Sequence, residues 1–420
     1  MTSRERILAA LSFQSVDRLP VDLGAMRSTG ISAFAYPKLV EALGLPPRRP
    51  RVHDTTQMLA IVERDVQEAM GLDVELLDVA GNTALWEDAG EWHDFDYGGR
   101  LEARVRHPEA HRVLPGGTVE QKCGGQWNHR MPPGSHVFDA LHGGQPVDLD
   151  GELPKEDLAA LRRRLEGETV DANWLERVVA TCRRARESSD RAILLHDVGF
   201  PFGFRGGMAA WSMTCVEDPE YVHALHEILT QHAHRRLSAI LPHLAPYVDV
   251  LMVCADDQGT QASTILPPRL YRELYVPYQR RLNDLCHRLA PQVKTFYHCC
   301  GAIYEILDDV IASGYDVLNP VQWSAGGHSY REWKDRCRGR IALWGGGVNS
   351  QVTLPHGTTA DVAAEAAEVA SYLQEDSGFV FCPIHNLLAE TPAEKVLALY
   401  GAAKRVGGGA KVPRMGAAVV

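Results

Sequence analysis

Val293-Lys294-Thr295-Phe296-Tyr297-His298-Cys299-Cys300-Gly301 reads as a strand that ends in polar, metal-competent side chains. The apolar run lies at Val293 to Phe296, and a helical pattern begins near Ile303. A strand that passes directly into a helix, with its chemistry at the carboxyl end, is the working unit of an α/β barrel. His298 and Cys300 are two residues apart, so on an extended chain they point to the same side. A His-x-Cys pair offers the nitrogen and sulfur donors that suit zinc. On spacing alone, a buried cysteine beside a satisfied histidine is the better account of the pair. Cys299 should face the other way, into the core.

The same rhythm extends in both directions. Strand-like runs recur at 192–196, 248–254, 315–319, 341–345 and 378–382. Helical segments separate them, including 218–242, which opens Asp218-Pro219-Glu220 with proline in its first turn. Another helix starts after Pro267-Pro268. Earlier runs at Asp17–Gly24 and Val74–Val79 bring the strand count to eight. Strands alternating with helices imply a parallel sheet. The expected fold class is therefore α/β, a (β/α)8 TIM barrel. A doubly wound open sheet is the alternative, but no Gly-x-Gly-x-x-Gly follows the first strand.

The amino-terminal third is less regular. Residues 3–12 read as a short helix. A longer helix is expected over 54–70, with Asp54 and Gln57 as a capping box and Gly71 as its stop. Its apolar stripe would be Met58, Ile61, Val62, Val66, Ala69 and Met70. Residues 85–150 are rich in Gly, His, Trp and charge, with alternating pieces such as Leu101-Glu102-Ala103-Arg104-Val105. They read as a small β element inserted into the barrel. Residues 154–188 read as charged, solvated helix. The expected organisation is one barrel domain over 1–405, with a mobile tail over 406–420.

Composition narrows the class of function. The chain has 420 residues, 45% of them hydrophobic, enough for a full core. Lys plus Arg number 43 against 54 Asp plus Glu, a formal net charge of −11. That balance argues against nucleic-acid and anionic-membrane partners. Nine cysteines lie scattered and odd in number, which fits a reduced cytoplasm better than a disulfide framework. The first residues lead into an amphipathic helix and not a signal peptide. No apolar run is long enough to span a bilayer.

In a barrel, polar residues at the carboxyl ends of strands are the candidates for the site. His196-Asp197 ends one run, as a substrate-binding pair or as an anchor for the loop that follows. Asp256-Asp257 ends the next. Two carboxylates after a buried strand are costly unless paired, so one is expected to ligate a metal or act as a general acid or base. His298 and Cys300 end the third, Asn319-Pro320-Val321-Gln322 the fourth, and Trp344-Gly345-Gly346-Gly347 the fifth. Cys382-Pro383-Ile384-His385-Asn386 ends the last, where His385 is a candidate third metal ligand.

These motifs, with Thr2-Ser3-Arg4-Glu5-Arg6-Ile7-Leu8 and Asp17-Arg18-Leu19-Pro20-Val21, resemble the uroporphyrinogen decarboxylase superfamily. The resemblance covers nearly the whole chain. It is closer to the branch of corrinoid-dependent methyltransferases, whose fold is a (β/α)8 barrel and whose zinc site is His-x-Cys plus a distant Cys. The resemblance implies His298 and Cys300 for the pair and puts His385 where the distant Cys stands. Gln322 falls near the place of an acidic ligand of some relatives, which leaves Asp256 or Asp257 to substitute. The arginine-rich segment of the decarboxylases is reduced here to Met26-Arg27-Ser28-Thr29-Gly30.

The expected activity is transfer of a methyl group from a small methoxylated or methylated substrate to a corrinoid held by a partner protein. Zinc would be bound by His298, Cys300 and His385. Asp256, Asp257 and His196 are the catalytic candidates. Arg27, Asp197, Asn319, Gln322 and Trp344 are the substrate-binding ones. A homodimer is implied by the resemblance alone. The alternatives are a metal-independent decarboxylase or lyase and a non-catalytic small-molecule-binding barrel.

Overall fold

The computed structural model describes residues 1–78, 91–140, 153, 155–196 and 202–407. Seven parallel strands form one sheet in sequential order. They are β1 (Val74–Asp78), β2 (Ala192–His196), β3 (Val250–Ala255), β4 (Lys294–His298), β5 (Val317–Asn319), β6 (Ala342–Trp344) and β7 (Phe379–Val380). Sequential order with every neighbour parallel requires a helical crossover between strands, which is the barrel rule.

An irregular eighth stave, residues 20–22, closes the sheet. Val21 bridges Phe381 in parallel. Asp22 N–H donates to Phe381 O at 2.9 Å, and Phe381 N–H donates to Pro20 O at 2.9 Å. On the other side Asp73 N–H donates to Val21 O at 2.9 Å. The open-sheet alternative is thereby excluded, because both sheet edges meet on this segment.

Side chains alternate across the staves as period two demands. Val74, Ala192, Leu194, Val250, Met252, Phe296, Val317, Ala342, Trp344 and Val380 fill the barrel interior. Ile193, Leu195, Leu251, Val253, Tyr297, Leu318, Leu343 and Phe379 belong to the outer layer beneath the helices. Helix α1 (Ser3–Leu11) brings Ile7 and Leu11 against the interior cluster. Its start is fixed by Thr2, whose Oγ1 accepts from Glu5 N–H at 3.2 Å while Glu5 Oε2 accepts from Thr2 N–H at 2.8 Å.

The helix expected over 54–70 forms only as α2 (Arg64–Met70), ended by Gly71 in the left-handed region. Asp54 turns out to close a tight turn, its Oδ1 accepting from Thr56 N–H at 3.0 Å and Gln57 N–H at 2.8 Å. Met58 then takes a φ of 55°, and Leu59–Ala60 pairs antiparallel with Ile31–Ser32. The carboxylate that could cap a helix serves a turn equally well. Tertiary pairing of the short strand decided between them.

Residues 93–140 carry antiparallel strands, including His93–Asp96 with Glu102–Val105 and Val119–Cys123 with Gln126–Met131. They lean on the turn after Asp54: Phe138 N–H donates to Thr56 O at 2.8 Å and Gln121 Nε2 to Thr55 Oγ1 at 2.6 Å. Residues 408–420, most of the expected tail, lie outside the described residues. Among the described residues no helix is long and apolar enough to cross a membrane.

Candidate metal centre at the barrel mouth

Inward alternation carries past the last apolar layer and becomes polar. Leu194 leads to His196, Phe296 to His298, and Val317 to Asn319. A cavity of about 520 Å³ opens there, lined by Arg27, Ser28, Gln57, His196, Met252, Cys254, Ala255, Asp257, His298 and His385.

One donor of each kind converges at its wall, Asp257 and His298 in the lining and Cys300 beside them. His298 Nε2 lies 3.5 Å from Asp257 Oδ1 and 3.5 Å from Cys300 Sγ. The three donor atoms all fall within 4.8 Å of one another. Bonds of about 2.0–2.3 Å to a tetrahedral ion set ligand atoms roughly 3.3–3.8 Å apart. Both separations therefore fit a shared zinc-type ion. A nitrogen, a sulfur and an oxygen donor are also a set that zinc accepts.

The loop after β4 is built for this. Cys300 N–H donates to Asp257 Oδ1 at 2.9 Å, which ties the two ligand-bearing loops together. Gly301 N–H donates to Gln322 Oε1 at 2.7 Å. Gly301 has a φ of 97°, and a Cβ there would fall 2.2 Å from the Gly259 backbone. The loops after β3 and β4 thus pack backbone to backbone, and only glycine permits it. Burial and the neighbouring Asp257 charge push the Cys300 thiol well above its ordinary range. Burial and then His298 lower His385. His385 therefore senses the same centre, although it is not one of the three donors that close within 4.8 Å.

The other sequence candidates separate into two groups. His196 and Arg27 line the cavity, and Arg27 Nε pairs with Asp54 Oδ2 at 3.5 Å. Asp256 is turned away. It is 4% exposed, and its carboxylate accepts from Phe202 N–H at 3.0 Å, Gly203 N–H at 3.0 Å and Cys254 Sγ at 2.8 Å. Its carboxylate holds the start of the described part of the loop after β2, Phe202 and Gly203, and does not line the cavity. Gln322 is spent on Gly301. Trp344 is fully buried in the barrel interior, with Nε1 donating to Asp22 Oδ2 at 2.9 Å. Asn319 is fully buried and faces His298, not the open cavity. Trp344 and Asn319 are thus buried behind the cavity wall, whereas Gln322 is half-buried with its Oε1 held by Gly301 N–H. Asp197 lies outside the described residues. Cys299 belongs to the outer layer, where its sulfur accepts from Gln258 N–H at 3.3 Å.

Sequence reading missed Ser28, Gln57 and Asn386. Ser28 Oγ lies 3.1 Å from His298 Nδ1, and Asn386 Nδ2 donates to Gln57 Oε1 at 2.9 Å. Ser28 and Asn386 stand next to flagged residues, a usable signal. Gln57 had none, because its segment was expected to be helical.

A closed eight-stave barrel with mixed donors at its carboxyl mouth defines the class: a (β/α)8-barrel protein with a candidate metal centre. Within it, the profile of the uroporphyrinogen decarboxylase (URO-D) family matches residues 155–406, more than half of the chain, and the protein belongs to that family. Among solved structures, a methyltransferase from Methanosarcina mazei is similar with 19% identity and a TM-score of 0.53, covering 96% of this chain and 98% of that one. That likeness extends the barrel fold over nearly the whole length. A xylanase B from Clostridium stercorarium F9 aligns at 8% identity and a TM-score of 0.33 over 56% of this chain and 84% of its own. Comparison with curated proteins finds no match.

Proposed function

We propose that the protein is a methyltransferase that demethylates a small methoxylated or methylated substrate, passing the methyl group to a corrinoid carried by a partner protein. The observation that carries the reading is the Asp257–His298–Cys300 donor set at the barrel mouth, with all donor atoms within 4.8 Å. Family membership and the methyltransferase-like fold support it.

His298 Nε2, Cys300 Sγ and Asp257 Oδ1 would hold a zinc-type ion, with His385 facing the same cavity. Such an ion, when bound, supplies a Lewis acid that stabilises the charge left on the substrate heteroatom as the methyl departs. Arg27, Gln57 and His196 form the polar wall that orients the substrate, and Met252 and Ala255 the apolar wall that excludes water. The corrinoid protein would dock over the mouth.

The test is metal analysis of the purified protein, followed by methyl transfer from methoxylated and methylthio substrates to free corrinoid, read by its absorption change. One equivalent of zinc, lost in His298→Ala and Cys300→Ala, is expected. Wild-type protein without stoichiometric transition metal overturns the metal assignment. The presence of Arg27 in the cavity favours a second reading, decarboxylation of a carboxylated substrate. Carbon dioxide release without metal would select it.

A further inference from the structure

Two of the three histidines that line the mouth, His298 and His385, have Nδ1 engaged by the side-chain oxygen of an asparagine. His298 Nδ1 lies 2.7 Å from Asn319 Oδ1, and His385 Nδ1 lies 2.5 Å from Asn386 Oδ1. An amide can present oxygen or nitrogen, so these contacts alone leave the histidine tautomer open. What fixes it is the group at the far end of each chain of hydrogen bonds.

Asn319 Nδ2 donates to Trp344 O at 2.9 Å. A carbonyl only accepts, so Asn319 must turn its nitrogen there and its oxygen to His298. Ser28 Oγ, 3.3 Å from Asn319 Oδ1, donates to that same oxygen. His298 Nδ1 then carries the proton, and Nε2 keeps its lone pair toward Asp257 and Cys300. The second chain is longer. Gln57 Nε2 reaches Asp54 Oδ2 at 3.4 Å, and Asn386 Nδ2 reaches Gln57 Oε1 at 2.9 Å. Asp54, as a carboxylate, is acceptor-only, which orients Gln57, which orients Asn386, which makes His385 a donor at Nδ1.

We propose that Asn319 and Asn386 are positioning residues that set both histidines as Nδ1–H tautomers. On this proposal Asp54 dictates the His385 tautomer through Gln57, from outside the donor set. The inference rests on the metal reading above only in what it says the free Nε2 lone pairs are for. Outer partners of this kind typically govern metal affinity by 10- to 100-fold.

Asp54→Asn is the sharpest probe. Its Oδ1 can keep the turn bonds to Thr56 and Gln57, but its new amide donor makes Gln57 flip. Asn386 must then flip as well and offer a donor to His385 Nδ1. The expected result, read by imidazole ¹⁵N NMR on the metal-free full chain, is Nδ1–H for His385 in wild type and Nε2–H in Asp54→Asn. Cobalt(II) affinity, read by its absorption bands, should fall about 10- to 100-fold in Asn319→Ala, whose histidine is in the donor set. Asn386→Asp should restore the Nδ1–H tautomer of His385 in the Asp54→Asn background, since an acidic side chain accepts from both His385 and the flipped Gln57. An unchanged His385 tautomer in Asp54→Asn, or no rescue, overturns the proposal. If Asp54→Asn does not fold, the Asn386→Ala and Asn386→Asp pair decides by the same readouts. The tautomers are read without metal. Wild type that binds no cobalt but shows the expected tautomers therefore sinks the metal reading and leaves the positioning intact.

Discussion

The two ends of the barrel use carboxylates in opposite ways. At the amino-terminal end, Asp73, Asp249 and Asp316 each stand one residue ahead of a strand, β1, β3 and β5. Each accepts the backbone N–H of the preceding stave: Val21 at 2.9 Å, Ile193 at 2.9 Å and Thr295 at 2.8 Å. Cations complete them. Asp73 takes Arg6 at 2.6 Å and Arg18 at 2.7 Å, Asp249 takes Arg4 at 2.7 Å and also Arg186, and Asp316 takes Lys294 at 3.7 Å, with His287 Nε2 2.8 Å from its other oxygen. At the carboxyl end Asp257 is 50% exposed and has one backbone donor, Cys300 N–H at 2.9 Å. Its other lone pairs face the cavity with His298 and Cys300. A carboxylate has about four acceptor sites. Where they are filled by stave and cation it locks the fold, and where they are left facing neighbouring donors it is available to a ligand. This agrees with the division of barrels into a stability face and a chemical face.

The largest test of this contrast is Asp73→Ala. It strands the buried Arg6 guanidinium and removes a clamp on the closing stave, and breaking such a pair costs about 3–5 kcal/mol. Chemical denaturation should show a loss of that order, with unaltered metal stoichiometry in the folded fraction. A change under about 1 kcal/mol would break the comparison at its structural end. At the other end, His298→Ala and Cys300→Ser each remove a ligand and should abolish stoichiometric zinc binding. Calorimetric binding and unfolding of the same metal-free proteins should show stability within about 1 kcal/mol of wild type. Large destabilisation there would mean that the mouth is structural too. Asp257→Asn keeps an acceptor for Cys300 N–H but loses the charge, and a weaker zinc affinity than wild type is expected by titration, smaller in effect than loss of His298 or Cys300.

The smallest effect is in pH. Burial raises Asp316, but the bonds from His287 and Thr295 N–H and the Lys294 charge outweigh it, so its carboxyl sits below its ordinary value. A folded-state pKa below the unfolded one contributes stability that is present above about pH 4 and lost as pH falls through the folded value. Stability measured from pH 6 downward should therefore decline less steeply over that window in Asp316→Asn than in wild type. Equal slopes would remove Asp316 from the saturated group.

Much of the barrel was legible because its staves are short apolar runs with glycine or polar ends, as at Val250–Ala255 and Lys294–His298. The expected strands match the observed ones through the second half. The helix over 54–70 failed because Asp54 suits a cap and a turn alike, and the choice came from pairing with Ile31–Ser32. The candidates at strand ends were legible as residue types but not as roles. Asp256 and Asp257 are neighbours of identical chemistry. One is claimed by the N–H groups of Phe202 and Gly203, and the other is left beside His298.

From the sequence alone came the period-two alternation that puts His196, His298 and Asn319 on the inner side, and the pairing of His298 with Cys300. These follow from local geometry, which repeats along any strand. Tertiary structure alone decided that residues 20–22 close the sheet, that Asp257 and not Asp256 meets His298, and that Asn319 meets His298 and Gln57 meets Asn386. Those outcomes depend on which hydrogen-bond partners a side chain finds across the fold. A donor or acceptor is claimed by the nearest complementary group in space, and sequence separation does not report that distance.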